Sequence, residues 1–200
     1  MKTLIYKQRG ITMMEVMISV AIIAIVLAIG IPNMTAWMQN VQVRSTAESV
    51  LTGLQFARAE AVRRNTPVRF KLTDAAGTAV WTVDCVTVTS SCPTAIQTSS
   101  SPLTGENARV GIDVNALPSP LTASYFNTVI AAQAGLPAGI TFDGLGRVPA
   151  ANIGTDIVRI DVTNATYADA RRMVVYITTS GAAKLCDPSL SLASNPRGCI

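Results

Sequence analysis

Residues 9–37 read RGITMMEVMISVAIIAIVLAIGIPNMTAW, and the interpretation of this stretch decides the architecture of the whole chain. From Val16 to Ile31 there are sixteen positions without a charge and with only Ser19 polar. With Ile11–Met14 before it and Met34–Trp37 after it, the apolar tract approaches the length of a helix that crosses a bilayer. An ordinary secretory signal would place a small-residue cleavage site after such a core, and no A-x-A pattern follows here. Glu15 stands just inside the tract, where an acidic side chain costs about 2.5–3.5 kcal/mol near mid-bilayer, so it calls for a partner or an interfacial position. Gly30 and Pro32 close the run. A proline inside a helix removes one backbone hydrogen bond, which predicts a kink at this point.

Working outward, the 200-residue length accommodates one globular domain plus an extension. The net charge of +4 does not describe that domain. Lys2, Lys7 and Arg9 precede the apolar tract, and without residues 1–10 there remain 13 basic against 12 acidic side chains. A strongly basic head of the kind that embraces nucleic acid is therefore not encoded.

After Trp37 polarity rises. Ala47, Val50, Leu51, Leu54, Ala57 and Ala61 recur at helical spacing, with Arg44, Glu48, Arg58 and Arg63 between them, which predicts the amphipathic second half of one long helix ending near Asn65 and Pro67. Strand patterns follow at Val68–Leu72, Ala79–Val88, Arg109–Val114, Ile140–Phe142, Ile157–Val162 and Met173–Thr179, with Ser180-Gly181 turning into a further strand, Ala182–Cys186. Alternation along Asp156–Thr163 and Arg171–Thr179 marks these two as antiparallel neighbours. The Ser/Thr/Pro-rich residues 89–104 and the aperiodic residues 117–136 read as loops or short irregular elements. The expectation is an α+β chain: residues 11–37 a hydrophobic transmembrane or polymerisation helix, 38–65 its amphipathic continuation, and 66–200 a β-rich head formed on an antiparallel sheet.

The four cysteines, Cys85, Cys92, Cys186 and Cys199, lack the spacing of a zinc or thioredoxin-like site and suit an oxidising compartment. Three pairings are possible. Cys85–Cys92 with Cys186–Cys199 closes two short loops and is the favoured one.

Histidine is absent, and neither a phosphate-binding glycine loop nor a metal-ligand cluster is visible. The residues argue against an enzyme, and no cofactor or metal is expected.

Arg9 to Met17 resembles the class III signal of type IV prepilins and pseudopilins: a short basic leader ending in Gly, a hydrophobic residue, then Glu as the fifth residue after the cut. The resemblance implies residues 1–10 as a leader removed by a prepilin peptidase between Gly10 and Ile11, N-methylation of Ile11, and Glu15 as an assembly contact with the new amine of a neighbouring subunit. Ile11 departs from the more common Phe. Residues 54–61 leading through Asn65-Thr66-Pro67-Val68, and the run Gly139 to Arg147, are similar to the GspH/FimT family, and the tail from Cys186 to Cys199 looks most like FimU-type minor pilins. These resemblances imply a minor pilin that primes or caps a pilus. Its partners would be the peptidase/methyltransferase, other minor and major pilins, the inner-membrane assembly platform and, before assembly, membrane lipid. It would cross the inner membrane once, with the head in the periplasm, before entering a filament.

Two alternatives stay open. A type II secretion pseudopilin would share the same fold, although closed disulfide loops look more like minor pilins. A DNA-binding minor pilin for natural transformation would use a Gly-Arg-x-Arg clamp. Here Arg147 is followed by Val148-Pro149 and the tail holds only Arg197, so Arg63, Arg64, Arg69 and Lys71 are the densest basic group and a nucleic-acid partner is not favoured.

Overall fold

The computed structural model describes residues 10–99 and 105–200, apart from the side chains of residues 29, 32 and 33. The leader read at residues 1–9 lies outside the described residues. The chain divides after Met38, the described residues up to it forming one unit and Gln39–Ile200 a second.

One helix, α1 (Met13–Arg64), supplies the first unit and opens the second. It starts where Thr12 offers its hydroxyl to the Glu15 N–H at 3.3 Å, and the acidic Glu15 in the first turn complements the positive end of the helix. The helical assignment runs unbroken through Gly30 and Pro32, so the sequence cue for a kink does not interrupt the element. At its other end Arg63 and Arg64 face the negative pole. Asn65 then adopts a left-handed φ of 49°, the Thr66 N–H reaches back to the Ala61 carbonyl at 3.2 Å, and Pro67 leads out of the helix.

In the second unit β1 (Val68–Leu72), β2 (Trp81–Cys85) and β3 (Gln97–Thr98) are followed by β4 (Ala108–Asp113), the short helix α2 (Ala123–Asn127) and β5 (Ala138–Phe142). Then come β6 (Arg159–Asn164), β7 (Met173–Ile177) and β8 (Ala183–Cys186). They form two antiparallel sheets, ordered β3-β2-β1-β5 and β4-β6-β7-β8. The α+β class and the antiparallel head are as the sequence leads one to expect, with the strands divided between two sheets rather than gathered in one. The reason lies just before β6: the Ile157 N–H goes to Gly139 in β5 while the next amide, Val158, goes to Asp113 in β4, so the chain passes from one sheet to the other within one residue. The expected neighbours β6 and β7 do pair antiparallel, with Ile160 opposite Val175.

The main core cluster lies between α1 and the two sheets, and a second, smaller one gathers Phe126, Val174, Tyr176, Cys186 and Cys199. Val43, Ala47, Val50, Leu54, Ala57 and Ala61 of α1 meet Val68, Phe70 and Val83 of the first sheet and Val110, Ile160, Val162 and Val175 of the second, all fully buried. Each fully buried Val, Leu, Ile or Phe side chain contributes about 1.5–3 kcal/mol relative to exposure. Gly53 permits a close approach of α1 to the first sheet: a Cβ there would lie 2.8 Å from the rings of Phe70 and Trp81.

Both disulfides pair as favoured from the sequence, and the first of them accounts for a strand shorter than expected. β2 ends at Cys85 because the Cys85–Cys92 disulfide turns Val86–Val88 out to solvent, and the loop returns as β3 against β2. The second disulfide, Cys186–Cys199, ties the end of β8 to the tail, where the Asp187 N–H donates to the Arg197 carbonyl at 2.7 Å.

Candidate functional site

The first unit has no core of its own. Every large apolar residue whose side chain is described between Ile11 and Met38 is at least 47% exposed, and Met13 reaches 85%. Exposure falls on all sides of the helix, as at Ile22, Ile23, Ile25 and Val26, so no stripe is reserved for a neighbour on one side. A helix that is apolar all round is stable only within apolar surroundings, whether lipid or other helices. Among the described residues no helix is long and apolar enough to cross a membrane.

Glu15 is exposed, and its carboxylate has no ion pair among the described residues. Ile11 and Gly10 precede the helix and are also exposed. The structure thus brings Gly10, Ile11 and Glu15 to one end of an unpartnered apolar helix, with Gly30 and Pro32 further along it. Among the described residues no cation neutralises Glu15.

The head disposes of its charges differently. In the basic group near the end of α1, Arg63 and Arg64 both hold Glu60, at 2.7 Å each. Hydrogen bonding by Arg63 lowers the Glu60 carboxyl from its usual range, burial opposes this, and Arg64 lowers it further. Arg69 pairs with Asp156 at 2.9 Å and Lys71 with Asp84 at 2.5 Å. All four cations that a nucleic-acid surface would need are held by carboxylates, which weakens that reading.

The sequence reading missed a buried charge cluster. Arg159 and Asp161, 2% and 0% exposed, lie on β6, and Asp161 receives Arg159 through two bonds of 2.7 and 2.9 Å. Arg172, just before β7, also reaches Asp161, whose carboxylate accepts the Ile130 N–H at 3.1 Å as well. The guanidinium groups donate onward to the carbonyls of Tyr125, Phe126 and Thr128 in and after α2. Arg159 sits 5.0 Å from the centre of the Tyr125 ring. This face of the second sheet is therefore covered by residues 125–130, and burial raises the Tyr125 hydroxyl above its ordinary pKa. The available sequence signal was an Arg and an Asp two apart on an otherwise apolar strand, with an arginine beside the neighbouring strand.

The run Gly139 to Arg147 forms a joint. Asp143 accepts the Leu145 and Arg147 N–H groups at 2.9 and 2.8 Å, and the Gly146 carbonyl accepts Arg58 of α1 at 2.9 Å. Gly181, with φ of 78°, comes so close that a Cβ would lie 2.0 Å from that same carbonyl. Among the described residues no group of three or more Cys, Asp or Glu side chains could hold a metal ion.

Comparison with known proteins gives two family matches. Residues 46–181 match the family described as type II transport protein GspH, and residues 5–31 match the prokaryotic N-terminal methylation motif. No curated protein matches the chain. Among solved structures, the type IV minor pilin FimU of Pseudomonas aeruginosa is similar in two crystal forms. One has 16% identity and a TM-score of 0.46 over 79% of this chain and 95% of that one. The other has 17% identity and a TM-score of 0.45 over 78% and 99%.

Proposed function

The chain belongs to the GspH family of type II transport proteins, and from that premise we propose that it is a minor pilin: a prepilin matured at its N-terminus and built into a filament as a structural subunit that primes or caps assembly. The observation that carries the proposal is the exposed, all-round apolar first half of α1, preceded by Gly10-Ile11 and bearing a single carboxylate that has no ion pair among the described residues. The methylation-motif match over the same residues supports it.

In this reading the peptidase cuts between Gly10 and Ile11 on the cytoplasmic side, and Ile11 becomes the methylated first residue. The apolar helix holds the chain in the inner membrane with its head in the periplasm, then exchanges lipid for neighbouring pilin helices. Glu15 pairs with the new amine of an adjacent subunit, so two charges enter an apolar environment together rather than alone. Gly30 and Pro32 supply the point where the helix bends on packing. The head contributes partner specificity and no catalysis.

Mass analysis of the N-terminus from membranes with and without the peptidase tests this. A chain beginning at methylated Ile11 only when the peptidase is present is the expected result; one that keeps Met1–Gly10 overturns it. Glu15→Leu is expected to remain membrane-inserted yet enter filaments poorly, and normal incorporation would remove its assembly role.

The family description favours a second reading, a type II secretion pseudopilin. The two disulfide-closed loops support the pilus instead. Co-purification with secretion rather than pilus components would decide for the second.

A further inference from the structure

We propose that Trp37 is an interfacial anchor, seated among the lipid headgroups on the head's side of the membrane and fixing how deep α1 sits before assembly. This rests on the membrane reading above.

The continuous uncharged run Val16–Ile31 is sixteen residues long and is followed by Pro32 and Asn33 before apolar residues resume at Met34. If the helix left hydrocarbon at Ile31, only about 24 Å would be spanned and the indole of Trp37 would lie in water. Trp37 is 63% exposed within its unit, as is Met34 one turn earlier, while Met38 is 47% exposed. Glu15 and Trp37 are 22 residues apart, or about 33 Å along a helix, which matches hydrocarbon of roughly 30 Å with each residue at one boundary. Between them there is no charge, and the first one beyond is Arg44.

Side-chain chemistry agrees with this placement. An indole offers a broad apolar ring and one N–H donor, and the headgroup region satisfies both. Trp81, the other tryptophan, already satisfies its N–H by donating to Ser49 at 3.2 Å and is buried in the head. Immediately beyond the proposed boundary the side chains engage polar partners. Gln39 accepts from Asn107 and Asn164, at 3.3 and 2.8 Å, and Asn40 accepts the Arg171 N–H at 2.8 Å. The span thus runs from a carboxylate to an indole, after which polar contacts with protein begin.

The test uses the full chain in phosphatidylethanolamine/phosphatidylglycerol vesicles, with the Trp37 signal taken as the difference between wild type and Trp37→Phe, so that Trp81 is left intact. Nitroxide-labelled lipids then read depth. The expected result is quenching about twofold stronger from a label near the headgroup than from one at the acyl-chain end, with protection from aqueous iodide. Iodide quenching as strong as in water, or stronger quenching from the chain end, overturns the anchor while alkaline-resistant membrane binding leaves the membrane reading standing. Release of the chain by alkaline extraction overturns that reading and the anchor with it.

Discussion

Residues 13–38 and the head invert each other's treatment of side chains. The first half of α1 leaves isoleucine, valine, leucine and methionine exposed on every side, whereas the head buries not only its apolar residues but also Arg159 and Asp161. The same helix passes through both regimes. Its later turns place Ala47, Val50, Leu54, Ala57 and Ala61 against two sheets, and exposure there drops to zero. Helix-forming tendency is common to both halves and so cannot explain the difference. What differs is the surroundings among the described residues: the later turns are covered by the two sheets, whereas the earlier turns are exposed and apolar all round, a pattern that suits apolar surroundings.

The largest effect that would sharpen this contrast comes from the buried charges. Asp161→Ala leaves two guanidinium groups facing each other without their carboxylate and is expected to destabilise the head by about 3–5 kcal/mol. Urea unfolding of the detergent-solubilised full chain, followed by Trp81 fluorescence, measures it. A loss well under 1 kcal/mol would mean that residues 125–130 do not seal this site as the structure shows.

A matched pair probes the helix itself. Leu54 is fully buried and Leu27 is 52% exposed. Leu54→Ala is expected to cost the head about 2–5 kcal/mol in the same assay, because it removes packing and leaves a cavity. Leu27→Ala is expected to change head unfolding by no more than about 0.5 kcal/mol. Equal losses would break the comparison, since they would require the first half of α1 to contribute to the head's core.

The sequence exposed the helix and most strands because period and punctuation are local. α1 ends at Arg64 as Asn65 and Pro67 require, and β1 occupies Val68–Leu72 as expected. The division into two sheets was not legible, because it depends on which carbonyls Ile157 and Val158 reach, a choice made by segments distant in sequence. β3 was hidden for a related reason: Gln97 and Thr98 carry no apolar period, and only pairing with β2 makes them a strand. Nor was the charged cluster legible. Alternation on β6 suggests a polar outer face, yet that face is covered by an aperiodic segment whose carbonyls the arginines recruit. Of the candidate site, the residues at its end were readable in order, while the absence of any partner for Glu15 among the described residues emerged only from the fold.

The smallest effect compares two glutamates at opposite ends of α1. Glu60 is held by Arg63 and Arg64, and its carboxyl lies below the usual range chiefly because of the hydrogen bond from Arg63. A carboxyl whose pKa is lower folded than unfolded contributes stability that is complete above the unfolded value of about 4.3 and disappears as pH falls through the folded value. The stability gap between wild type and Glu60→Gln should therefore hold from neutral pH to about 5 and close on further acidification. Arg63 is 63% exposed, so solvent screening limits the gap to about 1 kcal/mol or less. Glu15→Gln in the same titration should leave head unfolding unchanged at every pH, because Glu15 has no ion pair among the described residues to lose. An acid-dependent difference for Glu15 would place a cation near it within the chain, and the need for a neighbouring subunit's amine would then disappear.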